Sequence, residues 1–89
     1  MNLTKHAQTR LEQRGISPII IDWLEQYGAI EPQEGAELIY FNHRSLKRLA
    51  SYTGGFSNKI DKLKKVYLVR GSNGRIITTG YRNESIQRK

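Results

Sequence analysis

Asn73-Gly74 sits between two runs of strand-forming residues, Val66–Arg70 and Arg75–Arg82. An Asn-Gly pair adopts positive φ readily and closes short hairpins, so this segment predicts two adjacent antiparallel strands. A two-residue loop sets the register: Leu68 falls opposite Thr79, and Val66 opposite Tyr81. Both faces of the hairpin carry apolar side chains, so the pattern leaves open which face meets the core. Two strands alone are marginal in water, and the rest of the chain must cover them.

The first third offers a helical cover. Thr4 suits a helix N-cap and Gly15 a C-terminal stop, with Leu3, Ala7 and Leu11 recurring every four residues between them. A second helix follows from Ser17 as cap, Pro18 at the first position and Asp22 in the early part. Ile20, Ile21, Trp23, Leu24 and Tyr27 give it a broad apolar face, and Gly28 ends it. Glu31–Gly35 reads as a turn, and Glu37–Asn42 as a strand whose continuous apolar centre implies burial on both faces. His43–Tyr52 fits a short basic helix with Leu46, Leu49 and Ala50 inward, or an extended segment. Thr53–Asn58 reads as a loop, Lys59–Lys65 as surface, and the residues from Asn83 as a polar, basic tail. The expected architecture is α+β: an N-terminal helical hairpin packed on one face of a small antiparallel sheet, within a single domain spanning residues 1–89.

A chain of 89 residues buries only about 60–65% of its unfolded surface, so its core is thin. Zero cysteine excludes disulfides and cysteine-ligated zinc. The two histidines and scattered carboxylates form no metal motif, and Gly54-Gly55 lacks the residues of a phosphate loop, so no cofactor is expected. No apolar run approaches the ~20 residues of a membrane span. Ile19–Ile21 is too short for a signal-peptide core, and a cytoplasmic location is expected.

Charge divides sharply along the chain. Residues 1–42 carry three Lys or Arg against six Asp or Glu, a net of −3; residues 43–89 carry twelve against two, a net of +10. Asymmetry of this size points to a polyanionic partner, nucleic acid first. Within the acidic half, His6, Arg10 and Arg14 lie four residues apart. On a helix they climb one edge, a titratable imidazole followed by two permanent cations. Helical projection puts His6 and Arg10 beside the apolar stripe and Arg14 within it. Such a ladder suits phosphate chemistry: one group moves a proton and two neutralise oxyanion charge. Alternatively, the arginines pair with Glu31, Glu34 or Glu37 and hold the helix to the sheet.

Lys5-His6-Ala7, Arg10-Leu11 and Arg14-Gly15-Ile16-Ser17 together resemble the KHAxxRxxxRGIS opening of a family of small bacterial proteins of unknown function. The second helix, the Leu-Ile-Tyr-Phe strand and the closing Ile-Ile-Thr-Thr-Gly-Tyr-Arg strand follow in the same order, over roughly residues 3–83. That family looks like a branch of the barnase–EndoU–colicin–RelE ribonuclease fold. The resemblance implies a metal-independent, RNA-cleaving toxin held by a cognate antitoxin. It carries His6, Arg10 and Arg14 over as matches to the family's helix motif, and Thr79 and Tyr81 as matches to its last strand.

His43, beside Lys47 and Arg48, is a second candidate proton carrier. Arg44, Lys47, Arg48 and Arg82 are candidate RNA contacts, and the tyrosines of the basic half are candidate stacking partners for bases. The expected function is an endoribonuclease toxin acting on mRNA or tRNA, free or on the ribosome, by attack of the 2′-hydroxyl on the adjacent phosphate. The alternatives are a non-catalytic nucleic-acid-binding module and a gyrase-directed toxin of the ParE type, since fold alone does not fix function.

Overall fold

The computed structural model describes residues 2–53 and 63–82. The expected loop from Gly54 onward, the lysine-rich stretch as far as residue 62, and the tail from Asn83 lie outside the described residues; Lys64 and Lys65 are exposed, as expected.

Helix α1 (Lys5–Gln13) begins at Thr4, whose hydroxyl accepts the Ala7 N–H at 3.1 Å. Its end is a Schellman motif: Gly15, at φ 63°, donates its N–H to Glu12 O, and Ile16 donates to Leu11 O at 3.0 Å. Ile16 and Leu11 then both sit in the core. Helix α2 (Pro18–Tyr27) starts with Pro at its first position. Gly28 does end it, but with extended backbone (φ −65°, ψ 154°) and not a left-handed cap. Glycine is needed there for space, because a Cβ would meet Leu24 O at 2.5 Å and Ile39 Cγ2 at 2.7 Å.

The chain then enters strand β1 (Ala29–Gln33), where a turn was expected. The true turn is only Glu34-Gly35, with Gly35 at φ 68°, and strand β2 (Ala36–Tyr40) returns from it. Ile30 pairs with Ile39 and Glu31 with Leu38. Pro32 misled the sequence reading because proline usually breaks a sheet; β1 is an edge strand, where a missing N–H is tolerated. As expected, β2 buries Leu38, Ile39 and Tyr40 on both faces.

Helix α3 (His43–Thr53) resolves the ambiguity of the basic segment. Asn42 caps it reciprocally: Asn42 Oδ1 accepts the Ser45 N–H at 2.8 Å, and Ser45 Oγ accepts the Asn42 N–H at 2.8 Å. Tyr52 at its far end lies 5.4 Å from the Tyr27 ring, joining α3 to α2. Burial there pushes the Tyr27 phenol above its ordinary pKa, with a smaller push from Tyr52.

Strands β3 (Val66–Gly71) and β4 (Ile76–Tyr81) complete an antiparallel meander in the order β1-β2-β3-β4. The expected pairs Leu68–Thr79 and Val66–Tyr81 are present. The loop is longer than expected. Gly71 N–H bonds Arg75 O, Gly74 sits at φ 83°, and a bulge at Val69/Arg70 restores the register. The two irregularities offset each other.

Cross-strand register assigns the faces. Ile39, Leu68 and Thr79 form one row, and Ile39, Leu68, Val66 and Ile76 join Ala7, Leu11, Ile21, Leu24, Leu46 and Leu49 in one core. The helices therefore share that face. The row Ala29–Tyr40–Tyr67–Gly80 points the other way. At the hairpin-loop end, Arg70 bonds Glu37 at 2.8 Å and lies 3.7 Å from Glu25 of α2. The start of the chain adds a parallel bridge, Leu3 to Ile76, beside which α1 packs on β4. None of the described helices is long and apolar enough to cross a membrane.

Gly28→Ala is expected to cost about 1–3 kcal/mol, because the new methyl forces α2 and β2 apart. Urea unfolding should show a lower midpoint at unchanged slope.

Candidate functional site

α1 is fixed at both ends and along its inner side. Thr4 caps it, the Schellman motif closes it, and Ala7 and Leu11 are buried against the sheet. The side chains at the edge of that buried stripe are positioned by this packing. His6 is exposed, and Arg10, one turn later, is half-buried. Residues four apart on a helix are neighbours, so the imidazole and the guanidinium share one patch. Arg14 is exposed at the C-cap, with helix-like backbone at φ −93°, ψ −2°. It lies outside the apolar stripe because the regular helix stops at Gln13, where the projection from the sequence carried it onward.

Arg10 carries the most telling detail. Its Nε is buried and has no hydrogen-bond partner among the described residues. A buried, unpaired donor on a permanent cation costs about 1–3 kcal/mol or more. Of the carboxylates weighed as partners, Glu37 is engaged by Arg70 instead. The Nε itself is enclosed, so an incoming anion would meet the remainder of the half-buried guanidinium.

On α3 the buried residues are Ser45, Leu46 and Leu49, so His43, Arg44, Lys47 and Arg48 all face solvent. The structure thus gathers three candidate RNA contacts and His43 on one helix surface. His6 and His43 belong to different helices, α1 and α3.

The last-strand candidates separate. Thr79 is 0% exposed, and its hydroxyl donates to Tyr67 O at 2.7 Å, a bond between neighbouring strands within the core. Tyr81 is half-buried and packs against the core. Arg82 is half-buried, with its guanidinium carbon 5.4 Å from the centre of the Tyr67 ring. Sequence reasoning did not connect Tyr67, Gly80 and Arg82. The signal was present: the correct register sets Tyr67 opposite Gly80, and a glycine inside a strand marks a close approach. Among the described residues, no three His, Asp or Glu side chains come together as a metal cage.

Comparison with protein-family models, with curated proteins and with solved structures yields no match.

Arg10→Met keeps the aliphatic stem and removes the unmet donor. It is expected to leave thermal stability unchanged or raise it, while weakening phosphate-strand binding about tenfold, the size of one lost charged hydrogen bond. A marked fall in melting temperature would show that Arg10 is structural.

Proposed function

We propose that this chain is a metal-independent endoribonuclease, the toxin of a toxin–antitoxin pair, working on RNA in the cytoplasm. The observation that carries this reading is the half-buried Arg10, with no ion-pair partner among the described residues, one helical turn from the exposed His6. The resemblance of the opening segment supports it, as does the basic outer face of α3.

In this reading Arg10 holds a non-bridging oxygen of the scissile phosphate, and its fixed charge stabilises the phosphorane. The 2′-oxygen attacks phosphorus as its proton leaves, and the bond from phosphorus to the 5′-oxygen breaks as that oxygen is protonated. The products are a 2′,3′-cyclic phosphate and a free 5′-hydroxyl. His6 handles one of the two protons. Arg14, at the solvent end of the ladder, binds an adjacent phosphate. Thr79 has no part in the chemistry, since its hydroxyl is already bonded within the sheet. The exposed cations of α3 hold the RNA backbone away from the reacting bond, and they are also the surface an acidic antitoxin segment would cover.

A second reading is favoured by one observation: the two imidazoles stand on different helices, His6 on α1 with Arg10 and His43 on α3. A non-catalytic RNA-binding module needs no second proton carrier. Incubation of pure protein with RNA in EDTA, followed by end-group analysis, separates the two. Cleavage with cyclic-phosphate ends is expected to survive EDTA; intact RNA at high protein concentration leaves only the binding module. His6→Ala should abolish cleavage and growth inhibition with the fold intact, and His43→Ala should be milder. The reverse ranking would move the proton carrier to His43.

Salt titration tests the α3 surface. Single-strand contacts lower log K by ~0.7 per phosphate for each unit of log salt, so four to six contacts give a slope of about −3 to −4. Reversing Lys47 and Arg48 to Glu is expected to flatten the slope by about one unit or more. Reversal at Lys5 should matter less, and a wild-type slope near zero would reduce the positive charge to a solvated surface.

A further inference from the structure

We infer that the sheet face turned away from the helices carries a nucleobase-stacking site, formed by Arg82 laid over Tyr67. The inference takes its ligand class, single-stranded RNA, from the reading above. Three features of the strands build the site. Gly80 sits opposite Tyr67 on this face, and a Cβ at Gly80 would lie 3.2 Å from the Tyr67 hydroxyl and 3.3 Å from its ring edge. The ring therefore lies across β4, in the space a side chain would fill. Arg82, two residues past Gly80 and on the same face, places its guanidinium 5.4 Å from the ring centre. Its own backbone is fastened, the Arg82 N–H donating to Lys65 O at 2.7 Å.

Among the described residues no carboxylate pairs with Arg82, in contrast to Arg70, which has two. A carboxylate would draw the guanidinium edge-on and away from the ring. Without one, the planar group can lie over the aromatic ring, and the residue stays part-exposed. Bases stack on such planes as they do on aromatic rings. Arg82 adds a positive charge where a backbone must pass.

The placement suits a strand that also reaches α1. Leu3 bridges only to Ile76, so among the described residues the outer edge of β4 beyond that point has no strand partner. α1 packs at β4 on the helix face, and Tyr67–Arg82 lie on the opposite face. One RNA chain crossing this edge would meet phosphate-binding groups on one side and a stacking plane on the other.

The test uses fluorescence anisotropy with a labelled oligoadenylate and an abasic sugar–phosphate strand of equal length and charge. Wild-type protein is expected to prefer oligoadenylate by about 5- to 150-fold, the range for one stacked base. Arg82→Lys keeps the charge and loses the plane, so the preference should disappear with abasic binding retained. Tyr67→Phe should keep the preference. Equal binding of both strands by wild type, no binding of either, or full preference in Arg82→Lys would overturn the site. Cleavage in EDTA, run in parallel, keeps the two ideas apart. A base preference without cleavage removes only the ribonuclease reading, and cleavage without a base preference removes only the stacking site.

Discussion

Two backbone hydrogen bonds, Thr4 N–H to Ile76 O at 2.9 Å and Ile76 N–H to Asn2 O at 2.8 Å, fasten the start of the chain to β4. The Thr4 hydroxyl adds a third, donating to Ile77 O at 3.1 Å while it caps α1. Everything about the candidate site depends on this small parallel pairing. It sets where α1 begins, which side of that helix is buried, and hence where His6 and Arg10 stand. The bulge near the end of the β3–β4 hairpin belongs to the same construction. The extra residue it leaves in β4 is Ile77, and the Ile77 carbonyl is the one that Thr4 meets.

Local signals made much of the fold legible. Thr4, Gly15, Ser17 and Pro18 are punctuation whose meaning lies within a few residues, and both N-terminal helices follow from it. The Asn-Gly hairpin was readable for the same reason, down to its far register. The failures are where meaning depends on distant partners. Pro32 reads as a turn until β2 is known to accept an edge strand beside it. Gly28 reads as a left-handed cap until Ile39 is seen pressed against it. The Asn42–Ser45 cap was a local signal passed over, because Ser replaces the Glu or Gln usual at that position. At the candidate site, the spacing of His6 and Arg10 was visible, but the burial of the Arg10 Nε was not. Thr79 shows the same limit from the other side: only the register reveals that its hydroxyl is bonded to Tyr67 O.

The arginines are used in three different ways, and the difference is electrostatic context. Arg70 lies between Glu37 and Glu25 and ties α2 to the sheet; with these side chains partly exposed, the pairs contribute at most about 1 kcal/mol each. Arg44 and Arg48 project into water from α3, where they shape the long-range field. Arg10 and Arg82 are half-buried without a carboxylate partner among the described residues. Carboxylates are concentrated in the first half of the chain, yet Glu25 and Glu37 engage Arg70, and among the described residues none pairs with Arg10. The fold thus keeps cations near β4 available.

The start of the chain and the last strand touch although nearly the whole chain separates them: Thr4 meets Ile77 across 73 positions. A chain made from its N-terminus cannot form that contact until the final hairpin has been synthesised. α1 is among the first segments to emerge, but it has no β4 to pack on until the end. The Arg10 guanidinium is therefore not pressed into place while the chain is still growing. This couples order to completion: a truncated chain lacking β4 would carry the His6–Arg10–Arg14 ladder but not the surface that orders it.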